Sequence, residues 1–275
     1  MIFYIVLFLY VFNYQIFWWQ GKYVSNYYEV LPPNYNTYIE PFGGSFSVGL
    51  HNNISPIEIY NDLDKNVYSL FKVLSDKDLY TQFKEKCDLA YYNEDLRCEY
   101  KTKLKEELSV LDRAFYFFYV NRTSHNGVGG LSINLCIRRN MSKSISDMLS
   151  CIDGLEQFHQ RLSKVLVLNT DGVSLISKYS TENVFIYADP PYEQSTRTSA
   201  RYDTDMNKEQ HIEFIDACLL SKAKILISGY NCELYDKLNC KFKRVDFKVN
   251  TIDGNRNPKI KTESLWMNYN NEFEL

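Results

Sequence analysis

The sequence predicts an α/β protein with a doubly wound, largely parallel sheet and a mostly helical insertion. Three observations predict this fold. Short apolar runs that end at acidic or glycine residues occur in both the first and the last third of the chain. Helical periodicities alternate with these runs, as in βαβ units. The middle of the chain is charged and helical in pattern, and the apolar runs are missing there.

The predicted strands are five short runs, followed by a hairpin near the end of the chain. They are Tyr38–Glu40, Ile57–Tyr60, Val165–Leu168, Val184–Tyr187 and Lys224–Ser228, then Lys243 to Asn250 paired with Ser264 to Tyr269. In doubly wound sheets, ligands bind beyond the carboxyl ends of the strands. Asp62, Asp171 and Asp189 follow three of these strands, so that edge is the predicted site.

Two helices are predicted from apolar residues that recur at helical spacing. The first follows the second strand and places Val67, Leu70, Phe71 and Leu74 on one face. The second lies between Met206 and Leu220, and its predicted core face carries Ile212, Ile215 and Leu219.

The bulk composition bounds the class of protein. The chain has 275 residues, 45% of them apolar, which is enough for one core with an inserted subdomain. A formal net charge of −3 excludes a uniformly basic nucleic-acid coat, so any polyanion site is local. Seven cysteines without a CxxC pair argue against a disulfide framework and a zinc site. We therefore expect no metal, reduced thiols and a cytoplasmic protein.

The N-terminus is an apolar run, Met1 to Phe12. It lacks the features of a signal peptide and is too short for a membrane span. A buried strand, a membrane-associating segment and translation from an upstream start remain as interpretations, and the first and the last are favoured. Residues 1–17 are therefore set apart as an extension.

The most specific signal is Asp189-Pro190-Pro191-Tyr192, directly after a strand. The two prolines stiffen the turn and remove two backbone donors. A carboxylate, prolyl carbonyls and an aromatic ring remain, and together they suit a flat heterocycle with an exocyclic amine. The alternative is a plain strand-terminating turn with a half-buried tyrosine.

This motif resembles the catalytic signature of amino-methyltransferases, and four further segments occur in the order typical of the Dam-like (D12 class) DNA adenine-N6 methyltransferases. They are Trp18-Trp19-Gln20-Gly21-Lys22, Glu40-Pro41-Phe42-Gly43-Gly44-Ser45, Asn61-Asp62-Leu63-Asp64, and Asp253-Gly254-Asn255-Arg256 with the segment from Thr262 to Tyr269. The resemblance implies a Rossmann-like methyltransferase sheet, S-adenosyl-L-methionine as cofactor, and methyl transfer to adenine N6 in double-stranded DNA. It also allows a cognate restriction endonuclease as a partner.

The resemblance assigns catalysis to Asp189, Pro190, Pro191 and Tyr192. It assigns cofactor binding to Trp18, Lys22, Glu40, Phe42, Gly43, Gly44, Asp62, Asp171 and Asp189. Simpler interpretations stay open. Asp62 could cap a helix while Asp64 binds the cofactor in its place. Asp171 could form a turn without binding the cofactor. His211 is interpreted as a capping or surface residue. Phe46 stands where the family often has glycine.

The predicted catalytic domain comprises residues 18–75 and 165–275, and residues 76–164 form a helical target-recognition insertion. The stretch from Ala114 to Ser146 has no acidic residue. The candidates for DNA contact are Arg122, Asn126, Arg138, Arg139, Arg197 and Arg201. The alternative is solvated surface. Val128-Gly129-Gly130 stands where the family commonly has arginine, so a GATC target does not follow.

Three competing functions remain at this stage. The amine pocket could accept cytosine N4 or an RNA base, the chain could be a non-catalytic DNA-binding relative, or residues 1–12 could associate with a membrane. None of the cysteines follows a proline, so the Pro-Cys nucleophile of cytosine-C5 enzymes is missing.

Overall fold

The computed structural model of the protein describes residues 30–125, 129–191, 206–252 and 258–270. The chain divides into two compact units that alternate along the sequence. The first contains the described residues of Gly44–His51 and Asp64–Asn169. The second contains those of Tyr27–Gly43, Asn52–Leu63 and Thr170–Leu275. These boundaries differ from the predicted division at residues 76 and 164, whose functional meaning stays a prediction.

A seven-stranded, mostly parallel sheet confirms the predicted fold class. The strands are β1 (Thr37–Glu40), β2 (Ile57–Asn61), β3 and β4 (Ile137–Arg138 and Met141–Ser142, a separate pair), β5 (Leu166–Leu168), β6 (Val184–Ala188), β7 (Lys224–Gly229), β8 (Lys243–Ile252) and β9 (Pro258–Met267). Within the second unit the order is β2-β1-β6-β7-β9-β8. The first four of these run parallel, and β9 is antiparallel to both of its neighbours.

The central strands β1 and β6 are buried over their whole length. Ile39 of β1 pairs with Ile59 of β2 and with Ile186 of β6. Near-continuous apolar runs are typical of parallel strands that are buried on both sides. The short runs in the sequence therefore located these strands to within one residue of each end.

Two described helices of the second unit connect the parallel strands: α8 (Gly172–Lys178) and α9 (Lys208–Leu220). Asn207 caps α9 in a capping box with Gln210. The predicted core face of α9 is confirmed at Ile215 and wrong at Ile212 and Leu219: the buried residues of the helix are His211, Phe214, Ile215 and Cys218. Ile212 and Leu219 are half-buried. The interpretation of His211 as a surface residue is wrong as well, since its side chain is fully buried and contacts the Tyr235 hydroxyl at 3.2 Å.

The first unit is mainly helical. Its helices are α1 (Ser47–His51), α2 (Lys65–Ser75), α3 (Lys77–Asp88), α4 (Glu94–Lys103), α5 (Val110–Thr123), α6 (Lys143–Asp153) and α7 (Leu155–Leu162). The predicted apolar face of α2 is confirmed, since all four of its residues are buried. Aromatic rings fill the core between α3 and α5, where Phe83 meets Phe118 edge to face at 5.5 Å.

Phe46 adopts the backbone conformation that glycine would supply. Its φ of 56° lies in the left-handed region, which is costly for a bulky residue. The ring compensates by complete burial: it meets Phe71 edge to face at 6.3 Å, and the Arg161 guanidinium lies 5.9 Å from its centre. The departure from the family pattern at Phe46 therefore keeps the turn conformation and adds a packed ring.

None of the helices in the described part of the chain has the length and apolar character that a membrane crossing requires. The apolar run Met1 to Phe12, on which the membrane interpretation rested, lies outside the described residues.

Candidate active site

The carboxyl ends of β1, β2, β6 and β7 meet at one edge of the sheet, because these strands are parallel and adjacent. The residues at this edge are Glu40, Asn61 with Asp62, Asp189, and Ser228 with Gly229. Parallel pairing thus brings together acids that lie up to about 150 residues apart in the chain, as strand-end topology predicts.

Asp189 follows β6 and is half-buried. The Ser228 hydroxyl, on the neighbouring β7, donates a hydrogen bond to Asp189 Oδ1 at 3.0 Å. Burial raises the pKa of the Asp189 carboxyl from 3.8 to about 6, and the hydrogen bond from Ser228 acts in the opposite direction. The group is therefore mainly ionised at neutral pH and can accept a further hydrogen bond.

Two prolines directly follow Asp189. Pro190 is buried and Pro191 is half-buried. Neither has a backbone N–H, so the carbonyl oxygen is the polar backbone atom of each. Tyr192, the predicted stacking residue, lies outside the described residues, as do Trp18, Lys22, Arg197 and Arg201.

Asn61, the last residue of β2, connects three segments at the strand ends. Its Nδ2 donates to the carbonyls of Pro41 at 2.8 Å and Thr170 at 2.9 Å, and its Oδ1 accepts from the Thr170 N–H at 2.9 Å. The Gly43 N–H donates to the Asn61 carbonyl at 2.7 Å. The side chain is fully buried. Asn61 therefore fixes both the predicted cofactor loop and the turn before Asp171, a role that sequence reasoning missed.

The predicted cofactor loop starts at Glu40, which is buried and accepts a hydrogen bond of 2.6 Å from the Tyr38 hydroxyl. Phe42 is half-buried and packs edge to face on Phe214 of α9 at 5.7 Å. Gly44 has a φ of 48°, which glycine adopts without strain. These contacts hold the loop residues close to the end of β1.

Two glycines let this loop pack tightly. A Cβ at Gly43 would lie 2.2 Å from the Tyr60 ring, and a Cβ at Gly172 would lie 2.7 Å from the Phe42 ring and 2.8 Å from the Pro41 carbonyl. Both positions serve contacts within the protein. Close approach of the Gly43 backbone to a ligand stays a prediction.

We predict that Gly172→Ala destabilises the protein by about 1–3 kcal/mol, because the added methyl group would clash with both the Phe42 ring and the Pro41 carbonyl. Urea unfolding measures the loss. Gly130→Ala is the matched control: among the residues that the structure describes, no atom lies within 4 Å of a Cβ built there. Equal stability of the two variants would contradict the prediction.

The two acids after β2 have different roles. Asp64 caps α2, since its side chain accepts a hydrogen bond from the Asn66 N–H at 2.8 Å. Asp62 does not cap this helix and is buried, with 4% of its surface exposed. The capping interpretation thus applies to Asp64, and Asp62 is the acid of this pair at the sheet edge.

Asp171 is exposed and caps α8, where it accepts a hydrogen bond from the Ser174 N–H at 2.7 Å. This is the simpler interpretation that the sequence left open. A contact with a cofactor through the same side chain stays a prediction. Within the described ranges, no group of three or more His, Cys, Asp or Glu side chains could hold a metal ion.

The predicted DNA-contact residues of the first unit differ in exposure. Arg122 is half-buried, and its guanidinium interacts electrostatically with the buried thiol of Cys151. Arg138 pairs with Asp147 at 2.8 Å. Arg139 is half-exposed at the tip of the β3–β4 hairpin, 3.7 Å from Asp153. Positive φ angles at Arg139 and Asn140 are typical of a tight two-residue hairpin turn.

The loop that contains Asn126, which is itself outside the described residues, is held at its base by α4. Ser124 and Leu131 form an antiparallel bridge. Arg97 is buried, pairs with Glu94 at 2.6 Å, and donates to the Gly129 carbonyl at 3.2 Å. Arg97 therefore positions this loop; its place in a charged helix gave no signal of that role.

Comparison with known proteins agrees with this geometry. A family model described as "D12 class N6 adenine-specific DNA methyltransferase" matches residues 21–251. The chain is also similar to the type II methyltransferase M.MjaIII of Methanocaldococcus jannaschii, with 24% identity over 269 residues that cover 88% of this chain and 91% of the relative. Both similarities span the two compact units.

Proposed function

Since the chain belongs to the D12 class N6 adenine-specific DNA methyltransferase family, we propose that it transfers the methyl group of S-adenosyl-L-methionine to adenine and that Asp189 binds the adenine amine. Site-specific methylation of adenine in DNA is the activity of the protein. The observation that carries the assignment to Asp189 is its position: an ionised acid at the end of a buried parallel strand, next to two prolines.

The strand-end residues fit S-adenosyl-L-methionine. An acid at the end of the second strand of a nucleotide-binding α/β sheet accepts hydrogen bonds from ribose hydroxyls, and Asp62 is the buried acid at that position. Phe42 and Gly43 form the turn after β1 that Asn61 fixes. Glu40, Gly44 and Asp171 complete the proposed cofactor set, with Trp18 and Lys22 from outside the described residues. When bound, the cofactor supplies an electrophilic methyl group on a sulfonium.

Asp189 and the Pro190 carbonyl would activate the base by accepting its amine hydrogens. The lone pair of an adenine amine is delocalised into the ring, and two accepted N–H hydrogen bonds localise it on nitrogen. The nitrogen would then take the methyl group in line as the bond between that carbon and the sulfonium sulfur breaks, without a covalent bond to the enzyme, and one amine proton would leave along its hydrogen bond to Asp189. Fixed acceptors of this kind act through orientation and electrostatics. Tyr192 would cover the face of the ring.

Double-stranded DNA is the proposed substrate form. The target adenine has to leave the base stack to reach an acceptor at a strand end. Asn126, Arg138, Arg139, Arg197 and Arg201 are proposed to contact the DNA, and Arg122 to support them from its half-buried position. Residues 76–164 are proposed as the target-recognition part. We place the activity in the cytoplasm, where the free cysteines of the described residues would stay reduced.

A test of the function is modification-sensitive sequencing of DNA from a host that expresses the protein, with nucleoside mass spectrometry on DNA and RNA. We expect N6-methyladenine within one sequence context, and a much lower level of it with the Asp189→Asn variant. N4-methylcytosine as the product, or a modified base found in RNA alone, would refute the assignment. Titration of S-adenosyl-L-methionine by calorimetry checks the cofactor, and the absence of binding would favour a non-catalytic relative.

A cognate restriction endonuclease is proposed as a partner in function. The relative from Methanocaldococcus jannaschii is named a type II methyltransferase, and the resemblance of this chain to the family allows such a partner. DNA modified by the protein should then resist cleavage by that endonuclease. Cleavage of fully modified DNA at the same site would contradict the pairing.

A further inference from the structure

Two buried hydroxyl groups, those of Ser228 and Tyr187, are linked to Asp189 by hydrogen bonds. Ser228 is 1% exposed, and its Oγ lies 3.0 Å from Asp189 Oδ1. Tyr187 is 8% exposed, and its hydroxyl oxygen lies 2.9 Å from the same Oγ. The register of β6 and β7, in which Ala188 pairs with Ile227, places all three groups at the same strand ends. The predicted catalytic motif contains neither hydroxyl.

The chemistry of the three groups fixes the direction of these hydrogen bonds. An ionised carboxylate only accepts, so the single proton of Ser228 points to Asp189. Ser228 Oγ must then accept from Tyr187. Burial, together with the charge of Asp189, raises the pKa of Tyr187 well above 10.0, so that its hydroxyl stays protonated and remains a donor. The result is a directed chain from Tyr187 through Ser228 to Asp189.

We propose that Ser228 is a positioning residue for methyl transfer: it holds Oδ1 of Asp189 and so directs Oδ2 toward the adenine amine. The proposal rests on the proposed role of Asp189 as the amine acceptor. A carboxylate with one oxygen fixed has a single rotational position, and the second oxygen then faces the substrate without reorganisation. Tyr187 supports this arrangement by fixing the rotation of the Ser228 hydroxyl.

The groups around Asp189 make the Ser228 hydroxyl important for keeping this carboxylate ionised. Glu263 of β9 and Glu40 of β1 interact electrostatically with Tyr187, and Tyr230, which follows β7, interacts with both Asp189 and Glu263. These neighbours are acidic or neutral. Ser228 therefore offsets part of the effect of burial, because its hydrogen bond favours the ionised carboxylate.

The test is the pH dependence of single-turnover methylation by Ser228→Ala, at saturating DNA and S-adenosyl-L-methionine, from about pH 5.5 to about pH 8.5. We expect the acidic midpoint to move toward neutral pH. The rate at about pH 6.5 should fall roughly tenfold, the size expected when a charged group loses a hydrogen bond, and the deficit should shrink as the pH rises. Ser228→Thr keeps the hydroxyl and should keep the parent midpoint.

The matched control is Ser264→Ala. Ser264 is fully buried and donates to a carboxylate, that of Asp246, at 2.7 Å. The Ser264→Ala variant loses the same kind of hydrogen bond, but to a carboxylate other than Asp189, so the parent pH profile should persist. If Ser228→Ala does not fold, Tyr187→Phe removes only the hydroxyl at the other end of the chain and should move the midpoint in the same direction.

The possible outcomes distinguish a failure of the proposed function from a failure of the proposed role of Ser228. A parent enzyme that forms no N6-methyladenine refutes the proposed function itself. If the parent forms it and the Ser228→Ala or Tyr187→Phe profile superimposes on the parent profile, the role of Ser228 is refuted. A rate lowered by one constant factor at every pH indicates a merely structural role and also refutes it.

Discussion

Asp189→Asn is expected to lower the single-turnover methylation rate by at least about 10²–10³-fold at neutral pH, without lowering the thermal unfolding temperature. The amide keeps an oxygen that can accept the hydrogen bond from Ser228, so the strand end stays intact. It loses the negative charge that the proposed mechanism places against the adenine amine. The loss is thus electrostatic, and the fold should tolerate it.

The stability part of this prediction follows from the pKa of Asp189. Burial raises this pKa in the folded protein to about 6, above its ordinary value of 3.8. An acid whose pKa rises on folding binds its proton more tightly in the folded state, so folding is favoured below about pH 4 and loses this contribution as the pH rises to about 6. At neutral pH the ionised Asp189 therefore destabilises the fold. Removal of its charge should leave stability equal or higher.

The parent enzyme should lose activity as the pH falls through about 6, where the Asp189 carboxyl takes up its proton. The protonated group would donate a hydrogen bond where the mechanism needs an acceptor. Single-turnover rates between about pH 5 and about pH 8 measure this limb. A parent rate that is flat across that range would show that the protonation of Asp189 is irrelevant to methyl transfer.

Asp246→Asn is the control for the charge change. Asp246 also accepts a hydrogen bond from a buried serine and pairs with Arg244 at 3.2 Å, but it lies on the β8–β9 hairpin. The variant should methylate at the parent rate. An Asp189→Asn protein that unfolds at a lower temperature, or that keeps nearly the parent rate, would contradict the argument.

The parts of the site that were predictable from the sequence depend on local patterns. An apolar run that ends at an acid marks a parallel strand and its carboxyl end, and this located both Asp62 and Asp189 at the sheet edge. The same reasoning could not separate Asp62 from Asp64, because capping depends on where the next helix begins. It also placed His211 at the surface, although α9 turns that side chain into the core.

The remaining parts depend on contacts between distant segments. Ser228 and Asp189 are 39 residues apart, and their contact exists only because β6 and β7 are neighbours in register. Arg97 reads as one charge on a charged helix, yet it holds the loop at Gly129. Neither contact changes the local composition or periodicity. A single sequence therefore identified the family and the candidate Asp189, and it missed the contacts that hold Asp189 and the loop at Gly129.

Asn61→Asp is expected to have the second largest effect, on both stability and cofactor binding. The change is nearly isosteric, but the Nδ2 donor is lost, and the new carboxylate faces the carbonyls of Pro41 and Thr170. Two buried hydrogen bonds disappear and a charge is left opposite two acceptors. Such changes in buried networks cost about 3–5 kcal/mol. Urea unfolding should show this loss.

The affinity of the folded Asn61→Asp protein for the cofactor should also fall, by about tenfold or more. The reason is that the Pro41 loop and the Thr170 turn lose the side chain that hydrogen-bonds to both. Asn52→Asp is the matched control: Asn52 is buried and donates one hydrogen bond, to the Tyr35 hydroxyl at 2.7 Å, away from the strand ends. It should reduce stability and leave the Kd for S-adenosyl-L-methionine unchanged. Calorimetric titration separates the two variants.

The pH dependence of Asn61→Asp distinguishes a lost anchor from general damage to the core. A protonated carboxyl regains one donor, which can satisfy either the Pro41 or the Thr170 carbonyl. Stability relative to the parent should therefore recover in part as the pH falls, because protonation also removes the buried charge. A deficit that is constant with pH, or a variant that binds the cofactor as the parent does, would show that the strand ends hold together without Asn61.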